Sequence, residues 1–223
     1  MKILAIETSG KVCAVALAEN DKLIMEKIIE DENTHSVKLM PLINEVFKEN
    51  NMYLSDVDLF SCDIGPGSFT GIRIGVSTVK AFLDAKNKKA VGVTSLEVLA
   101  RNIQEDGIIC SLIDAKNDNV YYGLFEKIGK EYKQLEELKF DNINNILKTF
   151  NNKDKKIFFV GNGSIVHKDV IESELKNALI TENEKINSLN ARNIALVALE
   201  KNGQAVDSNN LSPIYLRKSN AER

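Results

Sequence analysis

The residues with the most unusual spacing are Gly65, Pro66, Gly67, Ser68, Phe69, Thr70 and Gly71, which run on through Ile72-Arg73-Ile74-Gly75 to read GPGSFTGIRIG. Glycines and a proline gathered at one strand-to-helix turn suit close backbone approach and a rigid bend. Ser68 or Thr70 can cap the helix that follows, and the free amides of its first turn would make an anion site. The stretch is not a phosphate-binding P-loop, because the lysine and Ser/Thr needed after the second glycine are absent, and the G-x-G-x-x-G dinucleotide spacing fails too. Two readings therefore stand: an anion cradle, or a tight turn without ligand.

The helix expected at 70–85 has two separable faces. Ile72, Val76, Val79 and Leu83 form an aliphatic stripe, while Gly71, Gly75 and Thr78 form a strip of small residues. An interior glycine costs roughly 1 kcal/mol against alanine in helix propensity, so something should compensate. The strip is expected to admit a close neighbour, either the helix at 35–49 of the same chain or a helix of a partner. The only histidines are His35 and His167. Two imidazoles reach one metal ion from a single helix when they stand four residues apart, and His35 has Leu39 in that place. No metal site is expected, and His35 reads as a capping or surface residue. Cys13, Cys62 and Cys110 each lie in an apolar run with no paired spacing, which points to buried, reduced thiols rather than disulfides or zinc.

The elements that must position these groups follow from apolar runs and turn residues. Strands are expected at Lys2–Glu7, Val12–Glu19 and Lys22–Glu30, the last two joined through Asn20-Asp21. A helix at His35–Glu49 carries Leu39, Ile43, Val46 and Phe47 at helical spacing, with Pro41 either in the first turn or at a kink. A strand at 57–64, the helix at 70–85, a strand at 90–94 and a short helix capped by Ser95 complete the first half. The second half restarts with strands at 108–114, 120–126 and 132–140, a helix at 143–150, a strand at Ile157–Val160 and further helices. The order is three strands, helix, strand, helix, written twice. It implies an α/β protein of two similar subdomains, 1–105 and 106–223, meeting at Glu105-Asp106-Gly107, each a mixed sheet flanked by helices. The cleft between them would be the default ligand site.

Composition narrows the function classes. The chain has 223 residues, 43% hydrophobic and 27% charged, which suits a globular protein with a real core. Net charge is -3 and the pI about 5.6, so the bulk field does not favour polyanions. Arg217, Lys218 and Arg223 are the only local candidates for a phosphate contact. The first residues lack a signal-peptide core, and no stretch approaches the roughly 18 uninterrupted apolar residues of a spanning helix, so a soluble, cytoplasmic protein with no membrane contact is expected.

GPGSFTGIRIG, the opening ILAIETS, Thr34-His35-Ser36 with Leu39-Met40-Pro41-Leu42 behind it, and the late Pro213-Ile214-Tyr215-Leu216-Arg217 together resemble the TsaB (YeaZ) family, in order from Lys2 to Arg217. The resemblance implies a duplicated actin-like/Hsp70/sugar-kinase (ASKHA) fold and a non-catalytic subunit that works with the catalytic TsaD and the ATPase TsaE. Their joint product is threonylcarbamoyl on adenosine 37 of tRNAs reading codons that begin with A. It further implies that the helices at 35–49 and 70–85 pack against their counterparts in TsaD as a bundle, through Leu39, Ile43, Gly71, Gly75 and Thr78, with tRNA met through the complex rather than by this chain alone. No cofactor is expected; weak ATP or ADP binding would fall to Glu7, Ser9, Asp114, Gly161 and Gly163, where relatives of the fold hold nucleotide. Glu7 also reads as a structural acceptor for nearby amides. Two other readings stay open: a nucleotide-binding enzyme of the same fold, either a small-molecule kinase or metallopeptidase-like, and a homodimeric interaction protein.

Overall fold

The computed structural model describes residues 1–30, 34–150 and 156–217. Lys218 and Arg223 lie outside them. The chain divides into two units, Met1–Val98 with Leu189–Ile214, and Leu99–Ser188 with Tyr215–Arg223.

In the first unit β1 (Lys2–Glu7), β2 (Val12–Glu19) and β3 (Lys22–Glu30) form an antiparallel meander, and β4 (Leu59–Asp63) and β5 (Lys89–Val93) add in parallel beyond β1. The sheet order is β3-β2-β1-β4-β5. Asn20, at positive φ, opens the two-residue turn that pairs Glu19 with Lys22. Helices α1 (His35–Glu49) and α2 (Phe69–Lys86) cover one face, where Leu4, Ile6, Val15, Leu39, Ile43, Val46, Phe60, Ile72, Val76 and Val79 are buried together. Alternate strand residues, Ile3, Ala5, Ala14 and Ala16, point to the other face. There they meet Ile194, Ala195 and Ala198 of a helix that comes much later in the chain, here α7 (Ala191–Glu200). Small alanines on β2 let that helix sit close.

The second unit repeats the topology. Antiparallel β6 (Gly107–Asp114), β7 (Asn119–Ile128) and β8 (Glu131–Gln134) are followed by β9 (Lys139–Asn142), α4 (Ile143–Thr149), β10 (Ile157–Val160), α5 (Asn162–Val166), α6 (Lys168–Glu174) and β11 (Ala178–Ile180). The order β11-β10-β6-β7-β8 mirrors that of the first sheet, with β9 also on β7. The short helix α3 (Ser95–Ala100) follows β5.

Four expectations need correction. The strand foreseen at 132–140 is two strands that share β7 as partner: β8 pairs with residues 125–128 of β7 and β9 with 119–122. The segment Leu189–Ile214 belongs with the first unit rather than with 106–223, since α7 buries its apolar face on the first sheet. α3 is capped by Thr94, whose hydroxyl accepts from the Glu97 amide (3.3 Å) while the Glu97 carboxylate accepts from the Thr94 amide (3.1 Å). Pro41 sits neither in the first turn nor at a break: α1 runs past it to Glu49 with the ring on the exposed side.

The three cysteines are free and buried. Burial pushes the Cys13 thiol up to about 11, and the Cys62 and Cys110 thiols higher still. Thiolates are the reactive form. A maleimide or dithiobis-nitrobenzoate assay near pH 8 should therefore find no fast thiol in the native chain and three in denaturant; fast native labelling would contradict this packing.

Candidate functional site

The GPGSFTG segment links β4 to α2, with Gly65 at φ 101°. Ser68 is the N-cap of α2, its hydroxyl accepting from the Gly71 amide at 3.2 Å, as one of the two expected caps. The Ser68 amide donates to the Ser9 carbonyl (2.7 Å), and the Thr8 hydroxyl donates to the Gly71 carbonyl (2.8 Å). The start of α2 is thus seated on the turn after β1.

That seat explains the glycines and overturns the outward reading of the small strip. A Cβ on Gly71 would lie 1.9 Å from the Thr8 carbonyl oxygen, one on Gly75 2.6 Å from the Thr8 hydroxyl, and one on Gly67 2.5 Å from the Ser9 carbonyl oxygen. The close neighbour is the end of the chain's own first strand. Thr78, half-buried, bonds the Ile74 carbonyl of its own helix (2.8 Å). Leu39 and Ile43 are each only 1% exposed and lie inside the core. None of these five residues offers a free surface, except the part of Thr78 that is exposed.

The outward faces of α1 and α2 carry other apolar side chains. Val37 (68%), Met40 (43%) and Phe69 (42%) are exposed, and Ile74 is half-buried. The Arg73 guanidinium lies 3.8 Å from the Phe69 ring centroid, a cation–π contact that holds the ring on the surface. Beside α1, a surface groove of about 490 Å³ is lined by Met40, Phe47, Met52, Tyr53 and Phe82 among others. The signal that would have found Val37, Met40 and Phe69 is phase: they are apolar yet fall outside the helical stripes that the core uses.

Glu7 and Ser9 are brought together. Glu7 Oε1 accepts from the Ser9 amide (2.6 Å), the Ser9 hydroxyl (2.8 Å) and the Gly10 amide (3.1 Å), so the reading of Glu7 as an acceptor for nearby amides holds. Glu7 is fully buried beside Asp63 at the end of neighbouring β4. Sequence reading passed over Asp63, although a carboxylate closing an apolar run just before Gly65 is itself the signal.

His35 is 4% exposed with no hydrogen-bond partner at Nε2, so it is neither a cap nor a surface residue. Among the described residues no three His, Cys, Asp or Glu side chains are grouped as metal ligands would be. In the second unit the Asp114 carboxylate accepts from the Lys116 amide (3.1 Å), and its oxygens lie 3.3 Å from Lys116 Nζ and 3.6 Å from His167 Nε2. Gly161 and Gly163 pack against Leu112, and the Gly161 amide donates to Asn187 Oδ1 (2.9 Å). The nucleotide candidates are thus engaged inside their own units.

No helix among the described residues is long and apolar enough to cross a membrane. The family model described as TsaD, tRNA N6-adenosine threonylcarbamoyltransferase, matches residues 24–223. The tRNA threonylcarbamoyladenosine biosynthesis protein TsaB of Bacillus subtilis (strain 168) is 33% identical over all of this chain and 96% of its own length. Among solved structures, an uncharacterized Pseudomonas aeruginosa protein with similarity to peptidase YEAZ superposes with a TM-score of 0.82, at 23% identity over 97% of this chain and 99% of that one. A ROK hexokinase from Thermus thermophilus shares the fold at a TM-score of 0.53 and 9% identity, over 92% of this chain and 100% of that one. The duplicated sheets are those of the actin-like and sugar-kinase fold, and the chain belongs to the TsaB family of tRNA threonylcarbamoyladenosine biosynthesis proteins.

Proposed function

We propose that the chain is a non-catalytic subunit in the synthesis of threonylcarbamoyladenosine on tRNA, and that it holds a TsaD-type catalytic partner on the outer faces of α1 and α2. The observation that carries this reading is the exposure of Val37, Met40 and Phe69 on two adjacent helices whose inner faces are fully spent on the core. Large apolar side chains in the centre of an interface supply most of its affinity. The partner would bring TsaE and tRNA into the same assembly. A non-catalytic role is favoured by the donor set: where a second imidazole would have to stand, four residues after His35, Leu39 is locked into the core.

Sedimentation velocity tests the docking step. Mixed with a TsaD-type partner from the same organism, this chain should form a one-to-one complex, while alone it stays smaller than that complex. A self-associated species that survives excess partner would favour a homodimeric protein using the same face.

A further inference from the structure

Glu7 and Asp63 stand side by side at the C-terminal ends of parallel strands β1 and β4, in a register where Ile6 faces Cys62. Both side chains are shut away from water, at 0% and 1% exposure. One oxygen of each is well supplied: Glu7 Oε1 by three donors from Ser9 and Gly10, and Asp63 Oδ1 by the Gly65 amide (2.6 Å) and the Ser95 hydroxyl (2.7 Å). The other two, Glu7 Oε2 and Asp63 Oδ2, are buried and accept from no donor. Among the described residues neither carboxyl has a lysine, arginine or histidine in an ion pair. The titratable neighbours are the Cys13 thiol on β2 and the Cys62 thiol on β4, both neutral at ordinary pH, and the Ser9 and Ser95 hydroxyls lie 3.2 Å apart.

Two adjacent carboxylates cannot both stay ionised in a dry site without a cation. We propose that Glu7 and Asp63 share one proton, Glu7 Oε2 carrying it and donating to Asp63 Oδ2, and that this pair clamps the turn after β1 to the Gly65–Gly67 loop and so steadies the start of α2. The chain of bonds is short: Ser9, which donates to Glu7, accepts the Ser68 amide with its carbonyl, and neighbouring Thr8 holds Gly71.

The sign of the pH dependence follows. Burial first, and then the charge of Asp63, hold the Glu7 carboxyl well above the usual carboxylate range; burial raises Asp63 as well. Above that range the unfolded chain has lost the proton that the folded chain keeps, so the folded state binds more protons. The contribution is fully present below the unfolded carboxylate pKa and is lost as pH rises through the folded value of Glu7. Within that window the folding constant falls up to about tenfold per pH unit.

Glu7→Gln tests this, because the amide keeps the carbonyl acceptor for Ser9 and Gly10 and supplies a permanent N–H donor to Asp63 Oδ2. Thermal or denaturant unfolding of the full chain between about pH 5.5 and pH 8.5 should show wild type losing stability relative to Glu7→Gln as pH rises, by about 3 to 5 °C in Tm per pH unit within the window. Asp63→Asn, donating in the opposite direction, should show the same relative gain. Carbon-detected NMR of the wild type should find one glutamate carboxyl titrating far above the rest, absent in Glu7→Gln. Parallel pH curves for wild type and both variants, or both variants less stable than wild type at every pH, would overturn the shared proton.

Discussion

Replacing Gly71 with alanine should strongly destabilise the first unit. The new methyl would lie 1.9 Å from the Thr8 carbonyl oxygen, an atom of buried backbone at the end of β1 that has no flexible end to swing away. Alanine ordinarily gains roughly 1 kcal/mol over glycine inside a helix, so the sign of the effect separates packing from propensity. Overpacking against backbone should outweigh that gain and cost upwards of about 3 kcal/mol. Denaturant unfolding is the measurement, with Ser77→Ala on the exposed side of the same helix as a control expected within about 0.5 kcal/mol of wild type. A Gly71→Ala protein with a wild-type midpoint would mean that α2 is not seated on Thr8.

The second large effect concerns binding rather than folding. Met40→Asp and Phe69→Asp together should leave the chain folded at a cost of about 2 kcal/mol or less, since each side chain is only partly covered. The aspartate at 69 loses the contact with Arg73 but stands in the first turn of α2, where negative charge is favoured. Partner affinity should fall at least about 100-fold, roughly 2.7 kcal/mol, because two central apolar anchors become buried charges. Unchanged affinity in the folded double variant would remove α1 and α2 from the interface.

What the sequence made legible was whatever local chemistry dictates. β1, β2, β3 and α1 fall where apolar runs, turn residues and helical spacing put them, and Ser68 caps α2 because a hydroxyl before a helix has an orphan amide to meet. The duplicated topology followed from element order alone. Non-local facts stayed hidden. Nothing in Ala191–Glu200 says which sheet its apolar face will cover, and the split of β8 from β9 depends on their shared partner β7. The glycine strip of α2 was correctly read as a place of close approach, but periodicity cannot name the neighbour, which proved to be Thr8. The same gap concealed the acid pair: Glu7 and Asp63 are 56 residues apart and become neighbours only through the parallel pairing of β1 with β4.

Whether this chain supports threonylcarbamoyl transfer without performing it is tested by reconstituted transfer to tRNA with the other pathway proteins from the same organism, run with and without this chain. A non-catalytic subunit should give no product when it is left out, none when it is alone, and loss of product with the Met40→Asp/Phe69→Asp protein. Full activity in its absence, or transfer by the isolated chain, would contradict that role.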